Sequence, residues 1–503
     1  MRFFLLFIIF FTINTSVFTQ KHDYQWVFGY GNAIDLGYGL SVLDFNNNLV
    51  TIDTFGAIDH FEVSSGGSII CDKDGEIALM TSNCDIMDKH LNIIEGGNDI
   101  YPEEIDGNDH CALFGSYPLD QSSLFLPELT NDSTYYLINK NGEVVEVGTG
   151  VEVVATDMVL HTIVQKENGD YYVKNRRHLN ETSIMVKGLA ACKNQDGEKW
   201  WIYAIEGNGN LFYKYLIGGE NSEVDTFTQE IGPDIIRNEL IPKQYTFSPN
   251  EDILAFATEI GVFLYDFDND TGMLSNFRMI ETPDLDKMFG LVFSPNSRFI
   301  YISTKDDIYQ IDLEEPDTSQ AIVFIGNAET FDQYGWVVGA SLMTLGPDCR
   351  IYVSPGSSSN AIHVIHNPNE KGVDCNFEIK AIEPPTRLLG DLPNIPMYRT
   401  NGNCDDTIEW GITTSTEEVI TAKSNPIKIA PNPVNNLLTV TLPIERTYTQ
   451  LEIRDGLGRI VQQITINDYQ TIVELNTTNL PNGLYVIVPV NNTTQSIKFM
   501  VAH

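Results

Sequence analysis

The segment Phe247-Ser248-Pro249-Asn250 is followed by the apolar run Ile253-Leu254-Ala255-Phe256, and the same pattern returns as Phe293-Ser294-Pro295-Asn296 with Phe299-Ile300-Tyr301-Ile302. In each copy, a β-forming residue precedes a tight turn that has proline at its second position. A run of β-forming residues then follows the turn. Each copy therefore predicts a β-hairpin.

The spacing of these hairpins predicts the fold. Pro249 and Pro295 are 46 residues apart, and a weaker third copy around Gly346-Pro347-Asp348 places Pro347 a further 52 residues along the chain. Short-strand repeats of about 40–50 residues indicate the blades of a β-propeller. Because residues 20–403 alternate β-rich runs with Gly, Asn and Asp turns, we predict an all-β propeller of seven blades, with eight as the alternative. Helix should be scarce.

The N-terminus has the pattern of a secretory signal peptide. Arg2 precedes an uncharged apolar run at residues 3–11, and small or polar residues follow it up to Thr19. This run is shorter than the roughly 20 residues that a membrane span needs. We therefore predict a signal peptide at residues 1–19. Since no later segment is long and apolar enough, we expect the mature protein not to span a membrane.

Charge divides the rest of the chain into two parts. The chain has 69 acidic and 30 basic residues, a formal net charge of −39 at pH 7, yet residues 425–503 contain five of each. This change predicts a domain boundary, with a linker at residues 404–424 and a second domain at residues 425–503. An acidic body repels nucleic acid and anionic lipid, which argues against both as partners.

The chain has seven cysteines, and in an exported protein these indicate disulfides. Their wide spacing, without a Cys-x-x-Cys motif, argues against a zinc site. We expect Cys84 to pair with Cys111, and Cys375 to pair with either Cys349 or Cys404. The odd number leaves at least one thiol unpaired unless it bonds to another chain.

A series of short phrases along the body carries a family resemblance. The phrases are, in chain order, Lys199-Trp200-Trp201, Tyr265-Asp266-Phe267-Asp268, Leu345-Gly346-Pro347-Asp348, Asp374-Cys375-Asn376-Phe377 and Leu392-Pro393-Asn394-Ile395-Pro396. Together they resemble a family of secreted Bacteroidetes propeller proteins over almost all of residues 21–400. The resemblance implies a propeller fold, but it offers no biochemical activity to transfer.

Residues 425–503 contain a second set of motifs. The motif residues are Pro431, Asn432, Pro433, Asp455, Gly458, Gly483 and Tyr485. The motifs resemble the type A C-terminal sorting domain of the type IX secretion system. The resemblance implies that the secretion machinery is a partner, that the protein crosses the outer membrane, and that it is then released or attached to the cell surface. Alternating strands and Asp-Gly or Asn-Gly turns predict a small immunoglobulin-like β-sandwich, and the alternative is a module that serves only as a spacer.

Few residues suggest a metal or ligand site. Asp266, Asp268 and Asp270 at alternate positions resemble a calcium loop. However, Gly272 lies one place late for an EF-hand, and Phe277 stands where a bidentate glutamate is needed. We therefore prefer a polar hairpin turn and no cofactor, with calcium as the alternative. An aromatic group, consisting of Trp200, Trp201, Tyr213 and Tyr215, fits either a sugar-binding platform or, as we prefer, core packing.

Two functions from different classes remain open. The first is an extracellular binding or adhesion module whose loops recognise a glycan, a protein or a surface polymer. The second is a hydrolase or lactonase-like enzyme with a metal at the mouth of the propeller channel. We favour binding because no acid, base or nucleophile stands out, although carboxylates from separate blades would not be visible in a linear sequence. A third alternative, a structural surface-layer component, predicts self-association.

Overall fold

The computed structural model describes residues 21–58, 61–63, 66–101, 111, 121–147, 150–180, 182–185, 187–219, 222–236, 243–282, 288–332, 335–413, 420–421, 427–442, 449–455, 459–467, 472–490 and 497–503. The predicted signal peptide at residues 1–19 lies outside this set. Contacts divide the chain into two compact units, Met1–Thr421 and Ala422–His503. No helix within the described residues is long and apolar enough to span a bilayer.

Seven mainly antiparallel sheets of three or more strands follow one another along the described part of the first unit. Sheet 1 contains β1 (Gln25–Tyr30), β2 (Gly39–Asp44), β3 (Leu49–Ala57) and β4 (Glu62–Val63). Sheet 2 contains β5 (Ser68–Cys71), β6 (Ile77–Thr81) and β7 (Ile86–Asp88). Sheet 3 contains β8 (Ser123–Pro127), β9 (Thr134–Val147), β10 (Gly150–Gln165) and β11 (Tyr171–Asn180). Sheet 4 contains β12 (Ala191–Lys193), β13 (Lys199–Ile205), β14 (Asn208–Gly218) and β15 (Glu223–Ile236).

The remaining sheets of this unit continue the series. Sheet 5 contains β16 (Tyr245–Phe247), β17 (Ile253–Ala257), β18 (Gly261–Asp268) and β19 (Met273–Glu281). Sheet 6 contains β20 (Leu291–Phe293), β21 (Phe299–Ser303), β22 (Asp307–Asp312) and β23 (Ile322–Asn327). Next comes a separate hairpin of β24 (Thr330–Phe331) and β25 (Val337–Val338). Sheet 7 contains β26 (Met343–Leu345), β27 (Ile351–Val353), β29 (Ile362–Ile365) and β30 (Phe377–Ile382), while β28 (Ser357–Ser359) pairs with β31 (Leu388–Gly390).

Short helical segments join some of these strands. The α-helix α1 (Thr318–Ala321) is a single turn between β22 and β23. Single 3-10 turns occur at Ile34–Leu36, Asn46–Asn48, Gly372–Cys375 and Thr400–Gly402. The described residues are therefore predominantly β, as the sequence predicts.

The Ser-Pro-Asn repeats form the predicted hairpins. In the first copy the Glu251 amide donates to the Ser248 carbonyl at 2.9 Å, which closes a four-residue turn. In the second copy Ser297 donates to Ser294 at 2.8 Å, and in the third Cys349 donates to Gly346 at 3.1 Å. The flanking strands pair in all three copies. The local turn chemistry thus predicted three structural hairpins correctly.

From sheet 2 to sheet 7, each sheet packs against the next through a shared apolar cluster. One cluster joins sheets 2 and 3, and further clusters join sheet 3 to 4, 4 to 5, 5 to 6, and 6 to 7. Sheet 1 contacts sheet 2 where the Ile77 amide donates to the side chain of Gln25 at 3.0 Å. It contacts sheet 7 where Trp26 packs edge-on against Tyr352, with ring centroids 5.1 Å apart. The contacts therefore run from sheet 1 through sheet 7 and return to sheet 1.

The segment predicted as a linker at residues 404–424 belongs in part to the first unit. Strands β32 (Glu409–Thr413) and β33 (Ile420–Thr421) both pair in parallel with β3. In addition, the Tyr24 hydroxyl donates to Asp405 at 2.9 Å. The prediction of a linker over the whole of residues 404–424 was wrong. This range contains β32 and β33, which pair with β3, a strand far away in the sequence.

Two disulfides occur in the described residues. One joins Cys84 to Cys111, as predicted, and the other joins Cys349 to Cys404. The predicted pairing of Cys375 was wrong, because this thiol is free and buried in the apolar cluster of sheets 6 and 7. Cys71 and Cys192 are also free and buried.

The second unit is a two-layer β-sandwich. Its strands are β34 (Lys428–Ala430), β35 (Leu437–Thr441), β36 (Gln450–Asp455), β37 (Ile460–Thr465), β38 (Ile472–Asn476), β39 (Gly483–Pro489) and β40 (Ile497–Val501). The three-stranded sheet has the order β34-β35-β38, and the four-stranded sheet has the order β37-β36-β39-β40. Side chains from both sheets, including Leu438, Ile453 and Phe499, form one core. This arrangement fits the sandwich predicted from the alternating pattern.

Candidate functional site

A cavity lies between the first strands of several sheets, and we call it the axial cavity. It is lined by residues at or next to the starts of β8, β12, β16, β20 and β26, together with residues 392–398. The open volume is about 40 Å³. This is room for a few water molecules, whereas sites for small ligands typically measure about 300–1,000 Å³. Residues 392–398 therefore occupy most of the space between these strands, and we call the segment of residues 392–405 the crossing segment.

Asn394 holds this crossing segment in place. Its side-chain amide donates to the carbonyls of Ser123 and Leu189, at 3.0 Å each. Its side-chain oxygen accepts from Gln121 at 3.2 Å. Its main chain bonds to Gly67 and to the hydroxyl of Ser68. One buried residue thus links the segment to sheet 2 through its main chain and to sheets 3 and 4 through its side chain.

Two buried glutamines connect the first strands of different sheets around the cavity. Gln244 donates to the Met343 carbonyl at 2.6 Å and accepts from the amides of Leu291 and Met343, at 3.0 Å each. Gln121 accepts from the Tyr245 amide at 2.9 Å. These residues were missed at the level of sequence, because an isolated glutamine before a strand gives no local signal.

The crossing segment leaves the cavity beside the Pro-containing turns. The Asn401 amide donates to the Pro249 carbonyl at 2.5 Å, and the Asp405 amide donates to the Pro347 carbonyl at 2.8 Å. The disulfide of Cys404 with Cys349 joins the segment covalently to the third turn. Just before the exit, buried Arg399 forms an ion pair with buried Asp23. The segment is therefore held at the exit by hydrogen bonds, an ion pair and a disulfide.

Lys140 is a buried lysine whose ammonium group is held by main-chain carbonyls. Its ammonium donates to the carbonyls of Met185, Lys187 and Gly188, at 3.0, 3.2 and 2.6 Å. Burial lowers the pKa of Lys140 to about 7. Its three acceptors come from the loop that precedes β12, so its contacts serve to join sheets 3 and 4.

The predicted calcium residues do not converge on one point. Asp266 accepts from Arg278 at 2.6 Å and from Asn276 at 2.8 Å. Asp268 accepts from the Thr271 hydroxyl at 2.9 Å, and this bond lowers the pKa of its carboxyl group. The main chain of Asp270 also bonds to Asp268. These contacts form a polar hairpin turn between β18 and β19, and no group of three or more His, Cys, Asp or Glu side chains in the described residues is placed to share a metal ion.

The predicted aromatic group packs mainly into the cores between sheets. Trp200 lies in the cluster of sheets 3 and 4, whereas Trp201 lies in that of sheets 4 and 5. The Trp200 indole donates to the Pro127 carbonyl, and the Trp201 indole donates to the Asn269 carbonyl, both at 2.9 Å. Tyr215 is buried with Trp200, and Tyr213 packs against the same cluster. Because adjacent strand residues point to opposite faces, the two tryptophans cannot form one platform.

The β24–β25 hairpin carries two exposed aromatic side chains that no sequence motif singled out. Phe331 is 60% exposed and Trp336 is 56% exposed. The main chain around them is held by the Ser357 hydroxyl, which donates to the Val337 carbonyl at 2.7 Å, and by the Lys380 ammonium, which donates to the Phe331 carbonyl at 3.4 Å. The sequence feature that could have indicated this exposed site is Trp336 directly after Gly335, because glycine is typical of turns.

The sorting motif residues make contacts within the sandwich of the second unit. Asn432 accepts from the Met500 amide at 2.8 Å, so the Pro431-Asn432-Pro433 segment is joined to β40. The carboxylate of Asp455 accepts from the Arg459 amide and guanidinium across the β36–β37 turn. Gly458 lies outside the described residues.

The other two motif residues lie on β39. Gly483 begins this strand opposite Val501. Tyr485 stacks on Phe499 and donates through its hydroxyl to the Pro481 carbonyl at 2.9 Å. The described motif residues therefore lie in turns and strands that bring β36, β39 and β40 together.

Residues 428–502 match a family model described as the secretion system C-terminal sorting domain. The second unit is a type IX sorting domain. The protein is accordingly secreted, and it is extracellular or attached to the outer cell surface. Residues outside 428–502 are not part of this match.

Comparisons of the whole chain give weaker results. No curated protein sequence matches the chain. Among solved structures, a putative 6-phosphogluconolactonase from Bacteroides uniformis is 12% identical, with 74% of this chain and 98% of that chain covered and a TM-score of 0.39. The periplasmic gluconolactonase PpgL from Pseudomonas aeruginosa is 12% identical, with 90% and 99% covered and a TM-score of 0.37.

A third similar structure is PorZ, a surface component of the type IX secretion system of Porphyromonas gingivalis. It is 10% identical, with 92% of this chain and 68% of that chain covered and a TM-score of 0.30. At these TM-scores, none of the three supports an argument about the activity of this chain.

Proposed function

We propose that the first unit is a seven-bladed β-propeller that acts as an extracellular binding module, exported by means of the C-terminal sorting domain. The succession of seven sheets, with contacts that return from sheet 7 to sheet 1, supports the propeller arrangement. The secretion machinery is then the partner during export. The ligand is a glycan, a protein or a surface polymer outside the cell.

The observation that carries the binding function is the exposed hairpin β24–β25. Phe331 and Val337 are cross-strand neighbours on one face, and Trp336 lies at the turn. When a partner covers such apolar surface, the free energy falls by about 25 cal/mol per Å² of area removed from water. Aromatic side chains also present flat apolar surfaces with little conformational freedom to lose. Because the crossing segment fills the axial cavity, this hairpin is a better contact surface than the cavity.

The test uses the intrinsic fluorescence of the secreted protein. All five tryptophans lie in the first unit, and Trp336 is the exposed one, since Trp26, Trp200 and Trp201 are buried and Trp410 is half-buried. A glycan and polysaccharide panel, with and without calcium, should contain a ligand that shifts this emission and retains the protein. The Trp336→Ala and Phe331→Ala variants should lose retention.

Phe227→Ala provides the matched control, because Phe227 is an exposed aromatic residue on another sheet. If both hairpin variants bind the retained ligand as the wild type does, the hairpin is not the binding surface. Release of a sugar product during the same incubation would instead favour the hydrolase or lactonase-like alternative. Retention without product supports the binding module.

A further inference from the structure

Strand β11 carries a cluster of cations in a strongly acidic protein. Lys174, Arg176 and Arg177 fall within four residues, in a chain with 69 acidic and 30 basic residues. Arg176 is used structurally, because its guanidinium donates to the carbonyls of Gly96 and Asn98 at 2.7 and 3.0 Å. The side chains of Lys174 and Arg177 are exposed and have no hydrogen-bond or ion-pair partner among the described residues. Two cations are therefore free to bind a ligand.

A β-bulge brings these two cations to one site. In the pairing of β10 with β11, Thr162 is opposite Asn175 and Ile163 is opposite Val173, which leaves Lys174 as an extra residue. In a regular strand Lys174 would point away from Asn175 and Arg177. A bulge re-aims the side chain of its extra residue. Consistent with this, Lys174, Asn175 and Arg177 all line the same cavity.

This surface cavity has a volume of about 100 Å³. Leu160 and Thr162 from β10 also line it, and Ser222 joins them from the turn between β14 and β15 of the neighbouring sheet. It therefore combines two cations with hydroxyl and amide groups beside an apolar side chain. Arginine binds carboxylate and sulfate oxygens with two parallel hydrogen bonds, and lysine adds a point charge.

We propose that this cavity, which we call the β11 pocket, binds a small ligand that bears a single carboxylate or sulfate group, such as a sugar acid or a sugar sulfate. The size of the cavity suits one such group. The formal net charge of −39 favours a singly charged ligand, because the surrounding surface repels a polyanion. The β11 pocket is separate from the β24–β25 hairpin, so it does not depend on the function proposed for that hairpin.

The test is calorimetric titration of the full secreted protein with galacturonate, galactose 6-sulfate and neutral galactose. Low ionic strength is needed because salt screens exposed charges. At least one of the two anions should bind, and galactose should not. Binding of one anion alone identifies which group the pocket prefers. Absence of binding by both anions would overturn the proposal.

Variants test whether the anions bind in the β11 pocket. Lys174→Gln combined with Arg177→Gln should weaken anion binding by about tenfold or more, since both charge-assisted contacts are lost. Lys89→Gln is the matched control, because Lys89 is an exposed cation next to β7 of another sheet, and it should bind as the wild type does. Unchanged tryptophan fluorescence establishes that the variants are folded. If the double variant binds the anions as tightly as the control, the β11 pocket is not the site.

Discussion

At the scale of single residues, His363 provides a test of how burial sets acid stability. Its Nδ1 accepts from the Lys380 amide at 3.1 Å, so its Nε2 carries the hydrogen that is donated to the Gly339 carbonyl at 2.9 Å. Burial lowers the pKa of His363 to about 4. Protonation would turn the acceptor Nδ1 into a donor that faces another donor. The folded protein therefore keeps this imidazole neutral.

The consequence is a loss of stability in acid. Between pH 6.5 and about 4 the unfolded chain binds a proton at this histidine and the folded chain does not, so lowering the pH favours unfolding. The free energy of unfolding should fall more steeply for the wild type than for His363→Gln, by at most about 1.4 kcal/mol per pH unit. Urea unfolding followed by tryptophan fluorescence at several pH values measures this difference. Equal slopes for the wild type and His363→Gln would contradict the assignment.

At the scale of elements, Asn394 is the residue that joins the crossing segment to the surrounding sheets. Asn394→Ala removes two donated hydrogen bonds and leaves the buried carbonyls of Ser123 and Leu189 without these donors. An unsatisfied buried polar group costs about 1–3 kcal/mol, so the variant should be about 2–5 kcal/mol less stable. The midpoint of urea unfolding, read by tryptophan fluorescence, measures the change.

Asn403→Ala is a suitable control for this variant. Asn403 is exposed, and its side chain makes no hydrogen bond among the described residues. An exposed substitution of this kind usually changes stability by less than about 0.5 kcal/mol. If the two variants unfold at the same urea concentration, the crossing segment does not contribute as the contacts indicate.

The elements also show which features could be predicted from the sequence. The Ser-Pro-Asn hairpins were predictable because turn chemistry acts within four residues, as at Ser248 and Glu251. The phrase Leu392-Pro393-Asn394-Ile395-Pro396 was visible as a motif, but its position in the axial cavity depends on contacts with sheets far away in sequence. The predicted pairing of Cys375 with Cys349 or Cys404 failed for the same reason, since the crossing segment brings Cys404 to Cys349 in the third turn. The β11 pocket required the register of β10 with β11, which no local pattern reveals.

At the scale of the whole molecule, the two units differ in charge and in the roles that their residues serve. The acidic excess lies in residues 1–424, whereas residues 425–503 are balanced. Each unit has its own apolar cores, and the described core of the second unit draws on its own two sheets. Removing residues 425–503 should therefore leave the first unit folded, with the fluorescence of all five tryptophans unchanged.

Export provides the decisive measurement for this division. In a host with a type IX secretion system, the chain that lacks residues 425–503 should remain inside the cell envelope, while the full chain reaches the surface or the medium. The reason is that the sorting motifs lie in this unit, where Asn432 and Asp455 hold strand ends and turns together. In the converse experiment, residues 425–503 are fused behind an unrelated folded protein that has a signal peptide, and this fusion should appear outside. Equal amounts of truncated and full-length protein outside the cell would show that the second unit is not needed for export.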